Sequence, residues 1–103
     1  DDKIFSDMKK INPGYSRSTI PANTYPRQDK PLDVIGYATH IVVACNLPEQ
    51  LVYNMVKTMA ANVSEMTLVN KAITGLTPKM MAEDVGVPFH SGAAKFYKEA
   101  KAN

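Results

Sequence analysis

Apolar residues recur along this chain at two different periods, and the change of period divides it. Ile4, Phe5, Met8 and Ile11 fall on one side of a helical projection with Asp7, Lys9 and Lys10 opposite, which predicts a short amphipathic helix. Asn12-Pro13-Gly14 stops it. From there to Leu32 the chain carries Pro13, Pro21, Pro26 and Pro31, a spacing that excludes a helix and leaves extended pieces and turns. Ser18-Thr19-Ile20 is the best strand candidate within it. Residues 33–45 (DVIGYATHIVVAC) then alternate with both faces apolar: Val34, Ala38 and Val42 on one, Ile35, Tyr37, Ile41 and Val43 on the other. Such a strand is expected between covering layers. Fully extended it would reach about 40 Å, far past a usual strand, so it is expected to pass between two lobes with a bend or bulge at Gly36.

Helical spacing returns at Leu47, Leu51, Val52, Met55, Val56, Met59 and Val63, with Gln50, Asn54, Lys57 and Asn62 facing away. Asn46 as N-cap, Pro48 in the first turn and Glu49 completing a capping box predict its start. The helix is expected to run past Ser64 toward Ala72 and to stop near Gly75. Thr77-Pro78 opens another short helix with Gly86 as its left-handed cap. Val87-Pro88-Phe89-His90 is extended, and Ser91 caps a last helix from Gly92 to about Lys101 with Ala93, Phe96 and Tyr97 inward. The result is an α/β chain of three to five helices and one to three strands. So few strands do not make a self-sufficient sheet, and the ribbon over 33–45 is expected to have lost its neighbours.

Composition adds exclusions rather than a function. Of 103 residues, 45% are hydrophobic and 21% charged, enough apolar surface to offset the entropy of ordering one domain. Twelve Lys and Arg against ten Asp and Glu, with the lysines scattered, give no basic face for nucleic acid. No apolar run approaches the roughly 20 residues that span a bilayer. The single cysteine, Cys45, excludes an internal disulfide and any multi-thiolate zinc site, and no cofactor is implied. The chain opens Asp1-Asp2-Lys3 with no apolar leader, as expected of an exported chain after processing or of a piece of a longer one.

His40, Cys45 and His90 are the residues able to do nucleophilic or metal chemistry, but no spacing joins them into a recognisable constellation. A strand histidine lining a hinge, and a local hydrogen bond ahead of a helix, are the plainer readings of His40 and His90. No His-Glu-x-x-His, phosphate loop or nucleophile elbow occurs, so neither catalysis nor a metal site is expected. Met55 and Met59 belong to a core stripe, whereas the adjacent Met80 and Met81 cannot both face inward. Residues 19–28 (TIPANTYPRQ) form a proline-stiffened polar stretch in which Thr24, Tyr25 and Gln28 offer hydroxyl and amide groups. Such groups suit a pocket for a small polar ligand, although an ordinary surface loop has the same composition.

Three segments in series resemble the C-terminal part of the TAXI-family solute receptors of TRAP transporters. They are Tyr15 to Gln28 (YSRSTIPANTYPRQ), Val43 to Val56 (VACNLPEQLVYNMV) and Val87 to Tyr97 (VPFHSGAAKFY). Receptors of that kind read Ile-Pro-Ala-Gly-Thr-Tyr-Pro-Gly-Gln, then Asp-Leu-Pro-Glu-x-Leu-Val-Tyr, then Pro-x-His-Pro-Gly-Ala-x-x-Tyr-Tyr. Asn23 and Arg27 stand at the two glycines of the first motif, Asn46 at its successor's Asp and Ser91 at a Pro.

The resemblance implies a partial, two-lobed, type II periplasmic-binding-protein fold. Residues 1–32 would end one lobe with the proline-rich loop, 33–45 would form the hinge strand with Gly36 and His40, and 46–103 the C-terminal helices. It further implies an extracytoplasmic receptor that binds a glutamate-like amino acid or small carboxylate at Thr24, Tyr25 and Gln28 and delivers it to membrane permease subunits. An isolated 103-residue piece would lack one cleft wall and bind solute negligibly. The competing expectation is a stand-alone α/β interaction module that covers its apolar surface by homodimerising.

Overall fold

The computed structural model describes residues 2–102. The elements are α1 (Asp2–Ile11), β1 (Tyr15–Ile20), β2 (Leu32–Tyr37), α2 (Glu49–Ala61), α3 (Val63–Val69), a 3-10 turn (Lys71–Ile73), α4 (Pro78–Met81) and α5 (Ser91–Glu99). The described residues form a mixed α/β arrangement of five α-helices and a two-stranded antiparallel sheet. It divides into two compact units. One is built from the chain up to Ile41 together with Asp84–Val87, the other from Val42–Glu83 together with Pro88 onward.

In the first unit β1 and β2 pair in unbroken register from Tyr15↔Tyr37 to Ile20↔Leu32. α1 attaches through Arg17, whose guanidinium lies 4.7 Å from the Phe5 ring centroid and pairs with Asp2. Of the apolar stripe expected on α1, Phe5 and Met8 are half-buried, but Ile4 is exposed and Ile11 is 84% exposed. A two-stranded sheet is too small to cover the whole face.

The long interior strand expected over 33–45 is not formed. β2 has six residues and ends at Tyr37, and residues 38–44 hold no regular structure. The cause is its partner: β1 begins at Tyr15, opposite Tyr37, because Asn12-Pro13-Gly14 turns the chain just before it. Beyond Tyr37 no strand is left to accept hydrogen bonds. Neither face is covered, since only Val34 and Gly36 of β2 are half-buried and the rest of the strand is exposed. Gly36 makes no bulge. It sits in register opposite Ser16, where a Cβ would lie 3.1 Å from the Ser18 Cβ.

The second unit centres on α2 and α5. Val52, Ala93 and Tyr97 are buried, with Val43, Leu47, Val56, Met81 and Phe96 packed around them. α2 begins at Glu49, later than the expected Asn46 cap, and Pro48 takes the cap position without a side-chain hydrogen bond. Proline disfavours helical backbone in the residue before it, so Leu47 cannot be the first helical residue that an Asn46 cap requires. Instead the Pro48 carbonyl accepts from the amides of Leu51 and Val52 at 3.0 and 3.2 Å.

The helix also breaks at Asn62, whose Nδ2 donates to the Thr58 carbonyl at 2.7 Å and competes with the backbone there. α4 ends at Met81, so Gly86 is left-handed (φ +79°) but caps no helix. Met81 packs on the core while Met80 is exposed, as adjacency requires. Leu51 and Met55 of the expected core stripe are exposed, because α5 covers only the Val52–Val56 side of α2.

This core is thin for the amount of chain. The accessible surface is 8136 Å², whereas a compact 11.3 kDa protein exposes about 5,700 Å². Two separate compact bodies of half that mass would together expose about 6,900 Å². Much of the surplus is apolar: Leu68 and Val69 at the end of α3 are 88% and 91% exposed.

Candidate functional site

The loop from Pro21 to Pro31 closes on itself through one side chain. Gln28 donates from Nε2 to the carbonyls of Lys30 (2.9 Å), Pro21 (3.1 Å) and, more weakly, Ile20 (3.4 Å). Its Oε1 accepts from the Tyr25 amide at 3.2 Å. The backbone adds Asn23 N–H to the Gln28 carbonyl (2.7 Å) and Gln28 N–H to the Tyr25 carbonyl (3.2 Å). Thr24 Oγ1 donates to the Pro21 carbonyl at 2.7 Å, and below the loop Thr19 Oγ1 donates to Asp33 across the last turn of ladder.

Of the three residues expected to meet a ligand, the structure therefore turns Thr24 and Gln28 onto the loop's own carbonyls. Tyr25 projects outward, 60% exposed. Asn23 and Arg27 have φ of 62° and 66°, the left-handed region that glycine occupies without strain.

His40 follows the end of β2, exposed rather than within a buried strand, and lines a hollow beside Tyr37. Cys45 is exposed with a free thiol. Among the described residues no group of three or more His, Cys, Asp or Glu is placed to hold a metal ion.

His90 is committed to structure. Its Nδ1 accepts from the Gly92 amide (3.2 Å), which makes His90 the cap of α5 in place of the expected Ser91. Its Nε2 lies 3.2 Å from the Leu47 carbonyl. A carbonyl accepts and an amide donates, so this geometry pairs an Nε2 donor with an Nδ1 acceptor on the one ring.

That bridge is one of several ties between the second and third sequence motifs. Gly92 is buried, and a Cβ there would collide with the Glu49 carbonyl and lie 2.7 Å from the Tyr53 nitrogen, so only glycine lets α5 come this close to α2. Tyr53 Oη donates to Glu99 at 2.6 Å, and that hydrogen bond raises the Tyr53 pKa. Lys95 approaches Glu49 at 3.5 Å, and Phe96 meets Tyr53 edge to face. Sequence reasoning read these segments as markers of resemblance and missed that they clasp each other. The signal was present in Gly92, a helix-forming position that propensity alone would give to alanine.

No curated protein matches the chain. The NMT1-like family, a family of solute-binding proteins that are in general not enzymes and are typically extracytoplasmic, matches residues 1–100. Among the described residues no helix is long and apolar enough to cross a membrane. The match runs over nearly every residue, and the chain belongs to the NMT1-like family of periplasmic solute-binding proteins.

Proposed function

We propose that the chain is the C-terminal part of a TAXI-type receptor for a TRAP carrier, which closes on a glutamate-like amino acid or small carboxylate and passes it to permease subunits. The observation that carries this reading is the left-handed backbone at both Asn23 and Arg27. Those are the two positions at which TAXI receptors place glycine, so the loop keeps a glycine-dictated shape after both glycines have been replaced. In this reading Tyr25 contacts the solute, while Thr24 and Gln28 hold it in place from behind. Residues 38–44, including His40, serve with Gly36 as the hinge segment. The exposed side of α2 and the Leu68–Val69 tip are covered by the remainder of the receptor.

Calorimetry tests this on the complete reading frame that contains these residues. Micromolar binding of glutamate or a small dicarboxylate is expected there, and Tyr25→Ala should weaken it about tenfold. The 103 residues alone should bind negligibly. Micromolar binding by the 103-residue chain would overturn the reading. A homodimerising module is the competing reading, supported by the surplus apolar surface. Concentration-dependent dimers in light scattering, with no solute bound by the complete frame, would establish it instead.

A further inference from the structure

At the end of the hairpin opposite the loop, three segments line an open hollow of about 390 Å³ within the first unit, inside the range of about 300–1,000 Å³ typical of small-molecule sites. Tyr15 and Tyr37, the last register pair of the sheet, share one face and both line it. His40 and Asn12 add polar groups, and Val85 and Val87 add an apolar wall. That wall is held against the Asn12–Gly14 turn by backbone contact: a Cβ on Gly86 would lie 2.9 Å from Pro13, and one on Gly14 would lie 3.2 Å from the Val85 carbonyl. Asp84 secures the Gly86 amide at 2.8 Å.

The polar groups facing this hollow are unspent. Neither phenol oxygen nor either ring nitrogen of His40 has a hydrogen-bond partner among the described residues. Asn12 Oδ1 accepts from the Gly14 amide at 2.9 Å, which leaves its Nδ2 as the free group, a donor. Among the described residues no Asp, Glu, Lys or Arg lines the hollow. An ammonium ligand would find no carboxylate there, and a phosphate dianion would find no guanidinium or ammonium. The two phenols and the imidazole can each donate as well as accept, and together with the Asn12 Nδ2 donor and the apolar wall they fit a single carboxylate on an apolar body. At about 3.3 Å per residue the six-residue strands separate this site from Tyr25 by roughly 17 Å or more.

We propose that this hollow is a binding site for a small monocarboxylate with an apolar body, formed by Tyr15, Tyr37, His40 and Asn12 and separate from the β1–β2 loop. The proposal stands whether or not the loop contacts a solute. Isovalerate titrated into the ¹⁵N-labelled chain is the probe, with isoamylamine, the same body carrying an ammonium, as the contrast. Isovalerate at millimolar concentration should move the amides of Gly14, Tyr15, Tyr37 and His40, and isoamylamine should not. Tyr37→Phe and His40→Ala, both at exposed positions where little packing is lost, should each weaken isovalerate about tenfold or more, as loss of one hydrogen bond to a charged ligand requires. Equal response to the two probes, shifts confined to residues 22–28, or unchanged affinity in both variants would overturn the site.

Discussion

The β1–β2 loop and the α2–α5 clasp are each organised by one polar side chain that binds backbone, Gln28 in the loop and His90 in the clasp. Gln28 reaches partners no more than eight residues away, and the loop it closes is largely exposed. His90 joins Leu47 across 43 residues, in the unit that holds the buried Gly92 and the core of Val52, Ala93 and Tyr97. The loop is therefore ordered by local hydrogen bonds that water competes for, while the clasp is ordered by close packing that water cannot replace. The two solutions differ in what they leave exposed, because the loop keeps its polar groups outside a core and the clasp spends its side chains in one.

The largest effect is expected where that packing is tightest. Gly92→Ala places a methyl group against the first turn of α2, on backbone atoms that cannot rotate aside. A loss of about 3 kcal/mol, at the upper end for overpacking, should appear as a lower urea midpoint in far-UV circular dichroism. If Gly92→Ala unfolded at the wild-type midpoint, α5 would not be seated on α2 as described, and the contrast with the loop would collapse.

Gln28→Ala is the matching test of the loop, with a smaller expected cost. It removes the acceptor for Tyr25 and the donor for Pro21 and Lys30, contacts that are mostly exposed, for a loss of about 2 kcal/mol. Hydrogen exchange should show the Asn23 and Tyr25 amides losing protection while those of α2 keep theirs. Gln28→Glu preserves the acceptor and removes the donor, and it should recover protection at Tyr25 alone.

How far these features were legible in the sequence depends on whether the deciding contact is local. The C-terminal end of α1 and the start of α4 were readable because Asn12-Pro13-Gly14 and Thr77-Pro78 act on their own neighbours; Thr77 Oγ1 does accept from the Met80 amide. The length of β2 was not readable, since it is set by where β1 begins, on the other side of the loop. Two apolar faces over 33–45 describe what could be buried, and only partner elements decide what is. The Asn46 cap failed to a rule visible in the sequence, the constraint that Pro48 imposes on Leu47. In the loop, the polar character of Thr24, Tyr25 and Gln28 was legible, but which of them faces outward depends on the reach of a Gln28 amide that composition does not encode.

Arg27→Gly sharpens the contrast from the side of strain. Arg27 holds φ at 66°, which costs a residue with a Cβ about 1–2 kcal/mol, whereas glycine adopts it freely. Part of that gain is offset by the greater freedom of glycine in the unfolded chain, so a net stabilisation of about 0.5–1 kcal/mol is expected in urea unfolding. No comparable gain is open in the clasp, where the one critical glycine is already present. A destabilised Arg27→Gly chain would mean that the guanidinium, and not the backbone, is what the loop requires.

The smallest effect concerns the clasp at high pH. Burial raises the pKa of Tyr97 above the usual phenolic value of 10.0. As pH rises past 10, the unfolded chain releases this proton first, so the native state holds more protons and the free energy of unfolding declines with each further increase. Below that range both states are protonated and the group adds no pH dependence. Tyr97→Phe removes the ionisation while keeping the buried ring, whose edge-to-face contacts with Phe89 and Phe96 lie at centroid distances of 5.1 and 5.9 Å. Wild type and Tyr97→Phe should therefore unfold alike near pH 7, and the variant should become the more stable of the two above pH 10. The Tyr53 phenol, raised by its hydrogen bond to Glu99, is common to both chains and cancels in the difference. Parallel stability curves up to pH 11 would place the Tyr97 hydroxyl in water and leave the clasp with a wetter centre than its packing implies.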